Sequence, residues 1–341
     1  MRPLSTLPKA HLHLHFTGSM RPGTLADLAT KHRIRLPEAL LDTEPIQLPP
    51  TERGWFRFQR LYDAARACVR DELDMRRIVS EAVEDDAREG SGRLEIQVDP
   101  TSYAPFVGGI TPALEIVLDE ARAASTRFGV SVGVVVAASR TRHPLDARTL
   151  ARLAARYAGD GDGEVVGFGL SNDERRGATR EFAPAFSIAR KAGLLCVPHG
   201  GELLGPDHIE VVTNELVPAR LGHGVRVTEN PRIVDELVRR DVALEVNPGS
   251  NVSLGVYPDD QSVPLAALYD TGLKIALGAD DPLLFRSRVV DQYETARKVH
   301  GFSDEQLARL AADSIKASAA PQQVKDRLLS GVRDWLATDP E

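Results

Sequence analysis

Cysteine is almost absent: only Cys68 and Cys196 occur, far apart and without a CxxC pattern. That argues against a disulfide scaffold or a cysteine-based zinc knuckle. Aromatic residues make up 5% of the chain, which disfavours a sandwich of short β-strands. Positive charge is not in excess, because 42 basic residues face 49 acidic ones for a net charge of −7. Such a balance gives no general attraction to nucleic acid or anionic membranes. No stretch approaches the ~20 apolar residues of a membrane span. The N-terminal MRPLSTLPKAHLHLH lacks the apolar core of a secretion signal. The expectation is a soluble protein of the reducing cytoplasm. No G-x-G-x-x-G follows an early strand, so a dinucleotide fold is disfavoured as well.

What is present is a regular alternation. The chain has 341 residues and is 42% apolar, enough for a large core. Short β-rich runs are expected at 10–15, 93–98, 130–137, 164–170, 194–199, 220–223, 242–246 and 273–279. Segments 178–192, 207–216, 230–240 and 264–271 carry apolar residues at three-to-four spacing, as helices do. Alternation repeated this often predicts an α/β fold, a (β/α)8 TIM barrel, more than an open doubly wound sheet. About 75 residues separate the first two strands, far more than an ordinary βα connection. Within them, 54–70 reads as a helix carrying Trp55, Phe56, Phe58, Leu61 and Tyr62. Two readings stand: a lid over the barrel mouth, or a helix packed on the barrel exterior. Helices at 303–314 and 322–337 close the chain. No interdomain linker is seen, so the expectation is one hydrolase domain over 1–341, with the insertion at about 20–90.

The chemistry-bearing residues fall at strand ends. His13 and His15 end the first strand, His199 the fifth, His223 the sixth, and Asp280 with Asp281 the eighth. In a parallel barrel these ends meet at one face, where active sites of the fold form. Residues two apart on a strand point the same way, so His13 and His15 can hold one ion together. Imidazoles with a carboxylate suit a divalent metal, Zn²⁺ foremost, with a position left for water. One buried histidine is commonly a satisfied core residue; four at converging strand ends, followed by Asp-Asp, form a site. Glu202 lies three residues beyond His199 in PHGGE, where Gly200 and Gly201 allow a sharp turn. It can be an ion-pair partner, but beside metal-activated water a carboxyl is a natural general acid/base.

The segments PKAHLHLHFTGS, VVGFGLSNDE, PHGGE, RLGHG, LEVNPGSN and ALGADDPLLF, in that order, resemble the adenosine deaminase family along nearly the whole chain. The resemblance implies a zinc-dependent (β/α)8 barrel that hydrolyses the 6-amino group of purines. It also implies that His13, His15, His199 and Asp280 bind the metal. Glu202 would protonate purine N1, His223 would orient the attacking hydroxide, and Asp281 would contact N7 and the water. The cytidine deaminase signature is absent. Strand four, VVGFGL, lacks the lysine that bridges two metals in binuclear relatives, so a single ion is expected.

Departures from the family pattern bear on the substrate. Thr17 stands where adenosine enzymes have an Asp that holds the ribose 5′-hydroxyl. Losing that carboxylate relaxes the demand for a free 5′-OH and makes room for a 5′ substituent. The other reading keeps a weaker hydroxyl contact through Thr17 itself. Asn172 replaces a glycine whose backbone contacts the purine, and Gly169 of the same segment is a further candidate contact. HGGE replaces the commoner HAGE, and His11 stands where the family has Glu and reads as structural, one layer below the site. The H-F-T-G and G-L-S-N-D-E variants look like the branch that deaminates 6-aminodeoxyfutalosine in menaquinone biosynthesis. Trp55, Phe56, Phe58 and Tyr62 would offer that substrate's aryl group a surface. The alternatives are adenosine, methylthioadenosine, S-adenosylhomocysteine or adenine as substrate, a barrel amidohydrolase acting on a non-purine amide or ester, and, from another class, a non-catalytic nucleoside-binding protein. The expected partner is a small purine nucleoside, with no nucleic acid or membrane, and a homo-oligomer is left open.

Overall fold

The computed structural model describes residues 1–339; the last two positions of the expected domain lie outside them. Eight strands form one parallel sheet in sequence order: β1 Lys9–His15, β2 Ser91–Val98, β3 Ser131–Ser139, β4 Glu164–Ser171, β5 Leu195–Gly200, β6 Arg220–His223, β7 Ala243–Val246 and β8 Ile275–Leu277. The sheet closes on itself just past β8. Asp280 N–H donates to His13 O at 3.0 Å, and His15 N–H donates to Asp280 O at 3.0 Å. The barrel is therefore the expected (β/α)8 TIM barrel, and its closing contacts run through three of the expected metal ligands.

The strands are near-continuous apolar runs because both of their faces are covered. VVV at 134–136 is wholly buried, as are Leu94, Ile96, Val165 and Phe168. Phe168 faces out to Phe186 on helix Ala183–Lys191, while Val135, Val166 and Val197 pack as a small separate cluster. Charge also lies inside the barrel. Arg220 donates to Glu95 and to Glu245, both at 2.6 Å, and Arg93 lies 3.1 Å from Glu95. All four are essentially unexposed. The C-terminal segment ties onto this ion group: Ala319 N–H donates to Glu95 and Arg220 donates to Ala317 O.

The expected strands and closing helices fall within a few residues of the observed ones. The segment expected as one helix at 178–192 is a 3-10 turn, Thr179–Phe182, followed by Ala183–Lys191, since Pro184 cannot continue the preceding turn. Between β1 and β2 lie helices Pro22–Lys31, Glu38–Leu41, Glu52–Arg66 and Glu72–Arg88. Helix Glu52–Arg66 is started by Thr51, whose side chain accepts from Gly54 N–H. Its residues 55, 58 and 62 share one face, and Phe58 stacks on Phe285 with ring centroids 5.8 Å apart. Among the described residues no helix is long and apolar enough to cross a membrane.

Candidate active site

At the C-terminal ends of the strands lies a cavity of about 290 Å³. His15, His199, Glu202, His223, Asp280 and Asp281 line its inner end. Trp55, Phe58, Tyr62, Tyr103, Asn172, Arg66 and Arg142 are among the residues lining the rest. The histidine rings are packed together: His13 lies 4.8 Å from His199, 4.9 Å from His223 and 5.1 Å from His15, centroid to centroid. Asp280 Oδ1 is 3.2 Å from His15 Nε2 and 3.4 Å from His13 Nε2. Ligand atoms of His13, His15 and Asp280, and likewise of His13, His199 and His223, lie within 4.8 Å of one another.

These donors fit a divalent cation. His13 Nδ1 faces Glu245 Oε2 at 2.8 Å, which leaves Nε2 turned to the centre, buried and without a hydrogen-bond partner. A carboxylate on the far nitrogen is the usual way a metal-binding imidazole is fixed in orientation and tautomer. Burial alone would lower the His13 ring, but Asp280 and Glu245 outweigh it and raise it to about 10. The site thus calls for positive charge at this point, which a proton or a divalent ion supplies.

The other groups are set in distinct states. Burial, reinforced by Asp280 and Glu174, pushes Glu202 well above the usual carboxylate range. Burial beside Asp280 does the same to Asp281. Burial brings His223 down to about 3, so its ring is neutral. The amide nitrogens of Asn247 and Asn251 face its Nδ1 at 3.3 and 3.4 Å, so Nδ1 accepts and the hydrogen sits on Nε2. That Nε2 is 3.7 Å from Glu202 and 3.8 Å from Asp280.

Three of these residues have left-handed backbones: Asn172 at φ 80°, His223 at 66° and Asp280 at 61°. Such strain in non-glycine residues collects at functional sites, where the surroundings enforce it. Asn172 lines the cavity, with its side-chain oxygen accepting from Asp173 N–H. Gly169 lies one layer down, where an added Cβ would meet Ala137 and Val197 O at 3.4 Å and Gln97 at 3.6 Å.

Two expectations need correction. Thr17 does not face the cavity: it is 1% exposed, and its hydroxyl is hydrogen-bonded to Tyr103 at 2.5 Å. Its place on the wall is taken by Tyr103 and Tyr62. Phe56 points to solvent at 61% exposure, because it lies off the face shared by Trp55, Phe58 and Tyr62. His11 is structural, as expected, but it is not a deeper layer of the site. The register of β1 shifts between His11 and Leu14, and His11 bonds Asp86 on helix Glu72–Arg88 and Ala279 N–H.

Sequence reasoning missed Tyr103, Glu245, Asn247, Asn251, Glu174 and Gly18. Glu245 and the two asparagines lie in LEVNPGSN, a segment legible as a motif although their partners were not.

The family model described as adenosine deaminase matches residues 8–335. The chain belongs to the adenosine deaminase family. It is accordingly a metal-dependent aminohydrolase. It is 59% identical over 336 residues to a putative adenosine/adenine deaminase of Streptomyces virginiae, covering 98% of each chain. To an adenine deaminase of Sinorhizobium fredii it is 32% identical, covering 96% of this chain and 98% of that one. Among solved structures it is similar to the adenine deaminase of Arthrobacter aurescens, with a TM-score of 0.88, 29% identity and coverage of 97% and 99%.

Proposed function

We propose that this protein hydrolyses the 6-amino group of an adenine nucleoside carrying a 5′ substituent, such as 6-aminodeoxyfutalosine, with one zinc ion held by His13, His15, His199 and Asp280. When bound, the ion supplies Lewis acidity that brings the pKa of water towards ~7. Glu202, kept protonated by burial, donates to ring N1 and makes C6 electrophilic. His223, neutral and with its hydrogen on Nε2, orients the attacking water from the side of Glu202 and Asp280. Asp281, also protonated by burial, donates to N7. Water adds at C6, the C6–N bond breaks, and the amine leaves as ammonia with the proton relayed by Glu202.

The observation that carries the substrate reading is the reach of the cavity. Its lining takes in Asp99, Ser102, Arg66 and Arg142 as well as Asp280 and Asp281. A bare purine against Glu202 and Asp281 would leave the outer part to water, whereas a 5′-extended nucleoside fills it and meets Trp55 and Phe58. The wall supports a second reading too: half-buried Tyr62 and buried Tyr103 line the cavity together with Asp281, as suits adenine or adenosine, the substrates in the relatives' names. Ammonia release from adenine, adenosine and 5′-substituted adenosines separates the two.

A further inference from the structure

Glu202 sits on a turn whose backbone needs holding. Gly201 before it has φ 80°, and a Cβ there would stand 2.6 Å from Ile209. The donors of this turn converge on one side chain, Glu174, which is 2% exposed. Its Oε1 accepts from Glu202 N–H at 3.1 Å, while its Oε2 accepts from Leu203 N–H at 2.9 Å and Leu204 N–H at 2.8 Å. Three N–H groups on one buried carboxylate are a stronger tie than neutral hydrogen bonds. The other end of the turn is held by Arg140, 1% exposed, whose Nη2 donates to His199 O at 2.5 Å and whose Nη1 donates to Thr179.

We propose that Glu174 and Arg140 form a buried clamp across residues 199–204 that sets the reach of the Glu202 carboxyl into the cavity. Glu174 is thus a positioning residue for the proton donor. It follows β4 directly and enters the turn after β5, so two neighbouring strands of the rigid barrel fix the distance between them. The Asp173 carboxylate stiffens the base of the clamp, accepting from Arg175 N–H at 3.1 Å and from its Nε at 2.8 Å. Arg226 adds two bonds to the turn, its side chain donating to Leu203 O at 2.6 Å and its backbone N–H to Gly201 O at 3.2 Å, and neither touches the three N–H groups. Glutamine at 174 keeps the shape but points an NH2 at N–H donors, so the turn must shift.

The inference rests on Glu202 as the proton donor, and a double-mutant cycle on the metal-loaded full chain separates the two, using the best substrate of the adenine, adenosine and 5′-substituted series. Glu174→Gln is expected to lower kcat on the order of 10- to 100-fold, as a displacement of about 1 Å in a reacting group does. KM and metal content stay within about threefold and at one ion per chain, because the loss is of positioning and not of binding. In a Glu202→Gln background the same change adds less than about threefold, since the group being positioned is gone. A kcat within about twofold of native in Glu174→Gln, or an equal loss in both backgrounds, overturns the clamp. A native kcat in Glu202→Gln alone overturns the proton-donor assignment instead. Should Glu174→Gln fail to fold, Glu174→Asp, which keeps the charge but is one methylene short, is read in the same cycle against the same limits.

Discussion

Gly18 lies directly beneath Asp281: a Cβ on Gly18 would stand 1.8 Å from Oδ1 and 2.5 Å from Cγ of that aspartate. No side chain fits there while Asp281 keeps its place at the inner end of the cavity. Gly18→Ala is expected to displace Asp281 and lower kcat/KM on the order of 100-fold, by the misplacement of a substrate-orienting group. Gly23→Ala is the matched control, since nothing lies within 4 Å of a Cβ there, and it leaves activity unchanged. Steady-state kinetics of the pair checks this.

Glu202→Gln removes the proposed proton donor, which is buried, and nearly preserves shape. A loss of about 10²- to 10⁴-fold in kcat follows, the range for a general acid. Metal analysis should still find one ion per chain, because the expected ligand atoms belong to His13, His15, His199 and Asp280.

Stripping the metal with a chelator should abolish deamination and lower thermal stability, and added Zn²⁺ should restore both. An ion that binds only the folded chain stabilises it by about 2.7 kcal/mol at a hundredfold excess over Kd. Differential scanning calorimetry with and without the ion reads it; an unchanged midpoint would contradict a metal held by this cluster.

The ion group inside the barrel predicts an acid limb. Burial alone would raise Glu95, but Arg220 and Arg93 hold it below its ordinary value of 4.5. Its folded-state value is therefore the depressed one, so its contribution is full above pH 4.5 and is lost as pH falls through the folded value. Arg220→Met removes the arginine shared by two buried carboxylates, leaving Glu95 with Arg93 alone and Glu245 with His13, and should cost about 3–5 kcal/mol near neutrality. The gap between native and variant should narrow below pH 4.5, as urea unfolding across pH can measure.

The parts of the site written in one strand were legible in the sequence. Alternation alone put His13 and His15 on one side of β1, and the strand ends brought His199, His223 and Asp280 to the same face. What escaped depends on partners far along the chain. Thr17 reads as an open polar position until Tyr103, 86 residues away, is seen to take its hydroxyl. Glu174 works on backbone N–H groups, which leave no residue-type signature. Phe56 and Phe58 look alike as composition, and only the helical phase against Phe285 separates the solvent-facing ring from the cavity wall. His11 shares the spacing of His13 and His15, the proposed metal ligands, but not their direction, because β1 slips in register beyond it.

Whose amine is removed is decided by kcat/KM compared across adenine, adenosine and 5′-substituted adenosines. A 5′-substituted adenosine is expected to be at least equal to adenosine, with adenine the poorest. Adenosine or adenine exceeding every 5′-substituted nucleoside by about 100-fold, the ~3 kcal/mol of a lost polar contact, would contradict it.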